Sequence, residues 1–375
     1  MTVSRPAVAA ARRVVLKLGT RVLTHDDGTL ALARLFAVVE AAAGLVRAGR
    51  EVLIVSSGAV GLGMDALGLT GATELADRQA CAAVGQTRLM ELYNDGFSRL
   101  GRTCGQVLLT QSDFDDRLRY LNLRSTLEAL LQHSAVPIIN ENDAVATDEL
   151  AFRGTGPVFG DNDRLSALVA SKLDADLLVL LTDVAGVYDR DPRKHPDARL
   201  VERVEGVEIG GSSSGAGRGG MRSKVEAAKI AARAGCHAVI ASGRTPGALE
   251  SVLAGDATGT WFEAAGGTGL GARRRWIAWA AKARGVLTLD DGAIRALRER
   301  GASLLAAGVR SVDGAFDSGD VVELRDGDGG LVGRGMVWCD AASARLWCSG
   351  SPPPGARNHH ALVHRNHLAL IEGDQ

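Results

Sequence analysis

Arg13-Val-Val-Leu-Lys17-Leu-Gly-Thr20 is an apolar run that stops at a lysine and a glycine. Its Val and Leu residues follow one another without polar alternation. That is how a strand buried on both faces reads, as in a parallel sheet. A helix-like stretch follows at 30–48, then a second apolar run at 51–55 that ends in Ser56-Ser57-Gly58. The alternation continues, with strand-like runs at 106–109, 136–139, 177–181 and 238–241, and helical stretches at 76–100, 121–132, 164–172 and 223–234. Strands that alternate with helices predict an α/β fold: a mostly parallel sheet with helices on both faces. In such a sheet, ligands sit beyond the carboxyl ends of the strands. Lys17, Ser56-Ser57-Gly58, Asn140–Asp143 and Thr182-Asp183 all fall at those ends.

The chain has 375 residues, enough for roughly two domains at about 150 residues each. Its formal net charge of −1 gives no general attraction to nucleic acid or anionic membrane. The five cysteines are scattered and never spaced C-x-x-C, which argues against a disulfide framework or a zinc site. No apolar run reaches the roughly 18 residues of a membrane span. Arg12 and Arg13 follow the short alanine stretch, the reverse of a secretory signal. A cytoplasmic protein is expected.

After residue 263 the character changes. Residues 264–272, Ala-Ala-Gly-Gly-Thr-Gly-Leu-Gly-Ala, read as a linker. Beyond them, strand-like pieces at 276–279, 285–289, 321–324, 335–338 and 361–363 lie close together, with one helix at 292–300. The expected division is an α/β domain over 1–263 and a small, mainly-β domain over 273–375. His359, His360, His364 and His367 lack a paired cysteine framework, so surface or fold-stabilising roles are expected of them, and no metal site.

Several polar groups carry chemistry. The segment 210–220 is rich in glycine and serine and opens a helix. Glycines let backbone N–H groups approach phosphate oxygens, although such a segment also serves as a plain surface loop. Arg218, Arg222 and Lys224 beside it favour the phosphate reading. Lys17 is followed by Gly19-Thr20, where a turn can face its amides toward the same anion. Ser56 and Ser57 either cap the next helix or grip a substrate carboxylate. Asn140-Glu-Asn-Asp143 and Gly160-Asp-Asn-Asp163 concentrate carboxylates and amides, suited to Mg²⁺, to a substrate ammonium, or simply to turns. Thr182-Asp183 is an ordinary strand-to-helix turn or a nucleotide contact.

Taken together, Val15–Thr20, Val55–Ala59, Ala83–Gln86, Ile139–Val145, Gly160–Asp163, Leu181–Asp183 and Gly219–Lys224 resemble the glutamate 5-kinases of the amino acid kinase superfamily. The tail resembles a PUA domain, a module that elsewhere binds RNA. The near-neutral charge and the lack of a basic–aromatic stripe argue against RNA as the main partner here. The resemblance implies ATP-dependent phosphorylation of the L-glutamate γ-carboxylate, the first step of proline synthesis, with Mg²⁺ carried on ATP. It implies Lys17, Lys224 and Asp163 as catalytic residues, and Ser57, Asp143 and Asn162 as glutamate-binding residues. It implies Lys17, Thr182, Asp183, Arg218, Gly219, Gly220, Met221, Arg222, Ser223 and Lys224 as the ATP site. It also implies a homo-oligomer, proline as a feedback inhibitor and a glutamyl phosphate reductase as partner. The sequence departs from the family pattern at Arg218, where Thr or Ser is common, and over 148–159, which is longer before Gly160.

Overall fold

Strand β1 (Arg13–Leu18) is buried along nearly its whole length and sits at the centre of the first unit. The computed structural model describes residues 4–71, 74–145, 162–192, 194–204, 220–264, 277, 283–349 and 361–371. It divides into two compact units, Met1–Gly266 and Gly267–Gln375. Besides β1, the first unit contains β2 (Glu51–Ser56), β3 (Cys104–Leu109), β4 (Val136–Glu141), β5 (Leu177–Thr182), β6 (Arg203–Val204), β7 (His237–Ser242) and β8 (Thr260–Phe262). These form one eight-stranded sheet in the order β3-β4-β2-β1-β5-β7-β8-β6. All neighbours run parallel except β7 and β8. From β1 the chain moves to β2, passes to β3 at the sheet edge, returns to place β4 between them, and then crosses to β5 on the other side of β1. The switch point therefore lies at β1, the place where open α/β sheets hold their ligands beyond the strand ends.

Side chains alternate across the sheet with period two, and β1 shows the consequence. Val14, Leu16 and Leu18 join a core with Leu35, Val38, Val39 and Ala42 of the helix Leu32–Arg47. Val15 and Lys17 therefore point to the opposite face, where the helix Asn162–Lys172 packs against β1. The strand that sets the sheet thus also aims its lysine at the start of that helix.

A helix that the apolar periodicity does not reveal, Ala59–Leu67, follows β2. It lies backbone to backbone on the long helix Leu75–Arg99. A Cβ on Gly63 would fall 1.8 Å from the Cys81 carbonyl oxygen, and one on Gly85 would fall 1.7 Å from that of Ala59. Only glycine permits this approach. Gly85→Ala is expected to lower stability by about 2 kcal/mol, the scale of an overpacked core. Urea unfolding checks this, and an unchanged midpoint and slope would show that the contact is soft.

The second unit is mainly β, as its turn-rich sequence suggests. Its strands are β9 (Ala283–Leu289), β10 (Leu304–Leu305), β11 (Val309–Gly314), β12 (Val321–Arg325), β13 (Leu331–Val337) and β14 (Ala361–Leu370), ordered β10-β14-β13-β12-β9-β11. Neighbours are antiparallel apart from β12 and β9. The expected helix appears as Asp291–Arg300, capped by Asp290, whose carboxylate accepts from the Ala293 N–H. The sequence reading allowed only one helix here, and this is corrected: a second, Ala341–Cys348, is capped in the same way by Asp340. Of the 264–272 segment, 265–272 lies outside the described residues, as do His359 and His360.

Candidate active site

The face of β1 that carries Lys17 meets the first turn of the helix Asn162–Lys172, and Asp163 stands at that point. Lys17 Nζ forms an ion pair with Asp163 Oδ1. From the other side, Lys224 Nζ reaches Asp163 Oδ2 at 3.1 Å, and Ser223 Oγ donates to the same oxygen at 2.7 Å. The helix Gly220–Arg233 delivers both groups. Its buried face is Ala227, Ala228, Ala231 and Ala232, small enough for close packing on the helix that begins with Asn162. Lys224 lies on the same face as Ala227, Ala228 and Ala231 by helical spacing, so it is drawn inward with them. Its ammonium also donates to the Gly220 carbonyl at 3.0 Å.

The exposures of Lys17 and Asp163 are 3% and 1%. Burial alone would raise the Asp163 pKa. The charges of Lys17 and Lys224 and the hydrogen bonds from Lys17 and Ser223 outweigh burial and hold the carboxyl below the usual carboxylate range. Asp163 is therefore ionised at neutral pH. Two ammonium groups around one carboxylate leave an excess of one positive charge, pointed at the carboxyl ends of the strands.

Next to Asp163, Asn162 reaches across to β2 and β4. Its Nδ2 donates to Ser57 Oγ at 2.9 Å and to Asn140 Oδ1 at 3.1 Å. Ser56 and Ser57 do not cap the following helix: the N-cap is Gly58, at φ 105°, with no side-chain cap bond. That conformation suits glycine alone. With the capping alternative gone, Ser57 Oγ faces Asn162, and Ser56 Oγ accepts from the buried Tyr93 hydroxyl at 2.8 Å. Asp143 is half-buried in the turn after β4. Thr182, buried at the end of β5, donates to Asp183 at 3.1 Å, and Asp183 pairs with Arg21 at 3.1 Å. Met221 is half-buried and Arg222 exposed on the first turn after Gly220.

Lys17, Asp163, Ser223 and Lys224 thus form one cluster, and Asn162 and Ser57 form another directly beside it. Arg218 and Gly219, the glycine-rich segment before them, Gly160, Asp161 and the 148–159 segment lie outside the described residues. Among the described residues there is no group of three or more His, Cys, Asp or Glu able to hold a metal ion. Gln86 and Tyr93 belong to the same hydrogen-bonded region as Asn140, yet the sequence reading gave these two no role. Gln86 and Tyr93 could have been noticed. Ala82, Gly85, Gln86, Leu89 and Tyr93 form one buried helical stripe, and a glutamine on such a stripe needs a partner.

Comparison with known proteins agrees with this architecture. The Amino acid kinase family matches residues 12–242, and the PUA domain matches 285–351. The glutamate 5-kinase of Gloeobacter violaceus is 49% identical, covering 96% of this chain and 99% of its own. That of Deinococcus radiodurans is 46% identical, covering 96% and 100%, and that of Marinomonas sp. is 43% identical, covering 98% and 99%. By these matches, spread over nearly the full length, the chain belongs to the glutamate 5-kinase family of the amino acid kinases.

Proposed function

We propose that this protein transfers the γ-phosphoryl group of ATP to the γ-carboxylate of L-glutamate, giving L-glutamyl 5-phosphate for proline synthesis. The lysine pair held on Asp163 beside the Asn162–Ser57 contact supports this reading most directly. In the reaction a carboxylate oxygen bonds to the γ-phosphorus while the bond to the β-phosphate oxygen breaks and ADP leaves. The glutamate side chain is already ionised at pH 7, with a reference pKa near 4.3, so no general base is needed. The barrier is the approach of one anion to another. Positioning and positive charge lower it.

In this reading Lys17 and Lys224 neutralise charge on the transferring group, and Asp163 holds both ammonium groups in place. Ser57, Asp143 and Asn162 bind glutamate. Thr182, Asp183 and the 218–224 segment bind ATP. ATP enters as its Mg²⁺ complex, in which the ion offsets phosphate charge. A cytoplasmic location, a homo-oligomeric state and inhibition by proline are further parts of the proposal, and a proline titration of activity tests the last. The product is a labile acyl phosphate, so a glutamyl phosphate reductase is the expected consumer.

Hydroxylamine trapping tests the activity. With ATP, Mg²⁺ and L-glutamate, γ-glutamyl hydroxamate should form in step with ADP, and aspartate and N-acetylglutamate should give far less. ADP release without hydroxamate, or a preference for either alternative substrate, would overturn the proposal.

A further inference from the structure

Gln86 sits on the helix Leu75–Arg99 with 7% of its surface exposed, and no step above uses it. Its Oε1 accepts from Asn140 Nδ2 at 2.9 Å. Asn140 Oδ1 in turn accepts from the Glu141 backbone N–H at 2.9 Å and from Asn162 Nδ2 at 3.1 Å. Asn162 Nδ2 also donates to Ser57 Oγ at 2.9 Å. Three amide side chains are thereby linked in one chain that ends at the substrate-side turn after β2.

The backbone N–H of Glu141 fixes the sense of this chain. A peptide N–H donates and never accepts, so the oxygen of the Asn140 amide must face it. The Asn140 NH₂ then faces Gln86, which must answer with its oxygen and is left with Nε2 to spare. At the other end Asn162 must offer its nitrogen to Asn140 and is left with Oδ1 to spare. Gln86 Nε2 and Asn162 Oδ1 are both buried, and neither has a hydrogen-bond partner among the described residues. Buried polar atoms in native proteins are normally paired, so two spare atoms in one chain need an explanation. One is a donor and the other an acceptor. That combination complements a zwitterion, whose carboxylate accepts and whose ammonium donates.

We infer that Gln86 is a specificity-determining residue of the amino-acid site: its Nε2 donates to an α-carboxylate oxygen of glutamate, in a polarity set by the Glu141 N–H through Asn140. Asn162 Oδ1 accepts from the α-ammonium. The inference rests on the glutamate kinase activity proposed above.

The test compares L-glutamate with its α-amide, which keeps the γ-carboxylate but replaces the α-carboxylate by a carboxamide. The wild-type enzyme should favour glutamate by about 100-fold or more in kcat/KM: the carboxamide can turn its one oxygen to Nε2, but it brings no charge to that bond and sets an NH₂ where the second carboxylate oxygen was. Gln86→Glu keeps an oxygen for Asn140 but places a second oxygen where Nε2 was. It should raise the KM for glutamate by about 100-fold, leave the KM for ATP within about 2-fold, and narrow the preference over the α-amide. Gln86→Leu should raise the glutamate KM by about 10-fold. A purely structural role would lower the melting temperature without changing the ratio between the two substrates. A folded Gln86→Glu with normal glutamate KM and normal ratio would overturn the inference. So would a wild-type preference under about 10-fold, a result that needs no variant to fold. If the wild-type enzyme phosphorylates neither compound, the proposed activity itself fails, which is a different result from either of these.

Discussion

Asp163→Asn should inactivate and destabilise the protein together. The substitution keeps size and shape but removes the carboxylate that Lys17 and Lys224 share. Lys17 is 3% exposed, so its ammonium would be left with a neutral amide in a site closed to water. Removing one member of a buried ion pair costs about 3–5 kcal/mol. Turnover should fall by about 100-fold or more as well, because both cations lose the anchor that orients them. The same reasoning fixes a pH dependence. Asp163 is held below the usual carboxylate range in the folded state, against its own burial, by the two lysines and by hydrogen bonds from Lys17 and Ser223. Its contribution is therefore fully present above the unfolded pKa, near 3.9, and is lost as pH falls through the lower folded value. Asp163→Asn should flatten that part of the acid-unfolding curve. Chemical unfolding at pH 7 and along a series from about pH 4 down to about pH 2, beside steady-state kinetics, checks both halves. A variant with wild-type stability and turnover would remove Asp163 from the account.

Lys17→Ala and Lys224→Ala should each lower kcat by about 100-fold, the scale of losing one preorganised charge in a closed site. Their effects on stability should differ. Lys17 lies within β1 between β2 and β5, so its loss leaves a gap in the sheet's second face and takes one of the two ammonium groups from Asp163. Lys224 sits at the start of the second turn of its helix, with 12% of its side chain exposed, and Ser223 still donates to Asp163 without it. Lys224→Ala should therefore stay close to wild type in stability while losing turnover. Neither substitution touches the Asn162–Ser57 contact, so the KM for glutamate should move little. A large rise in glutamate KM with unchanged kcat would place these lysines in substrate binding instead.

The parts of this molecule legible in its sequence are those whose burial is uniform. β1, β2, β4 and β5 are buried almost end to end, and each carries an apolar run that ends at the polar residues of the site edge. β3 is only partly buried and begins Cys104-Gly105, so its first residues carry no such signal. The helix Ala59–Leu67 went unread because Gly61 and Gly63 weaken local helix preference. What compensates is the backbone contact with Cys81 and Gly85, a tertiary fact absent from the local pattern. Ala341–Cys348 is short, and only Trp338 and Cys339 separate its capping residue Asp340 from the preceding strand, which hides its start.

The site was legible as a set of strand ends, because a parallel sheet gathers its loops on one edge. Its wiring was not. That Asp163 stands between Lys17 and Lys224 depends on the pleat of β1 and on the alanine face of the helix Gly220–Arg233, each meaningful only after packing. The amide chain from Gln86 to Asn162 joins three elements, and a single backbone N–H gives it its direction.

A rapid-quench measurement of one enzyme turnover goes most directly to the claim that the paired ammonium groups act on the migrating phosphoryl group. Wild-type and Lys224→Ala enzyme would be mixed with saturating MgATP and L-glutamate, and acyl phosphate and ADP followed together. The expected result is a first-turnover rate about 100-fold lower in the variant, with both products slowed equally. A first turnover as fast as wild type, with only later cycles slowed, would place Lys224 in product release and contradict the account.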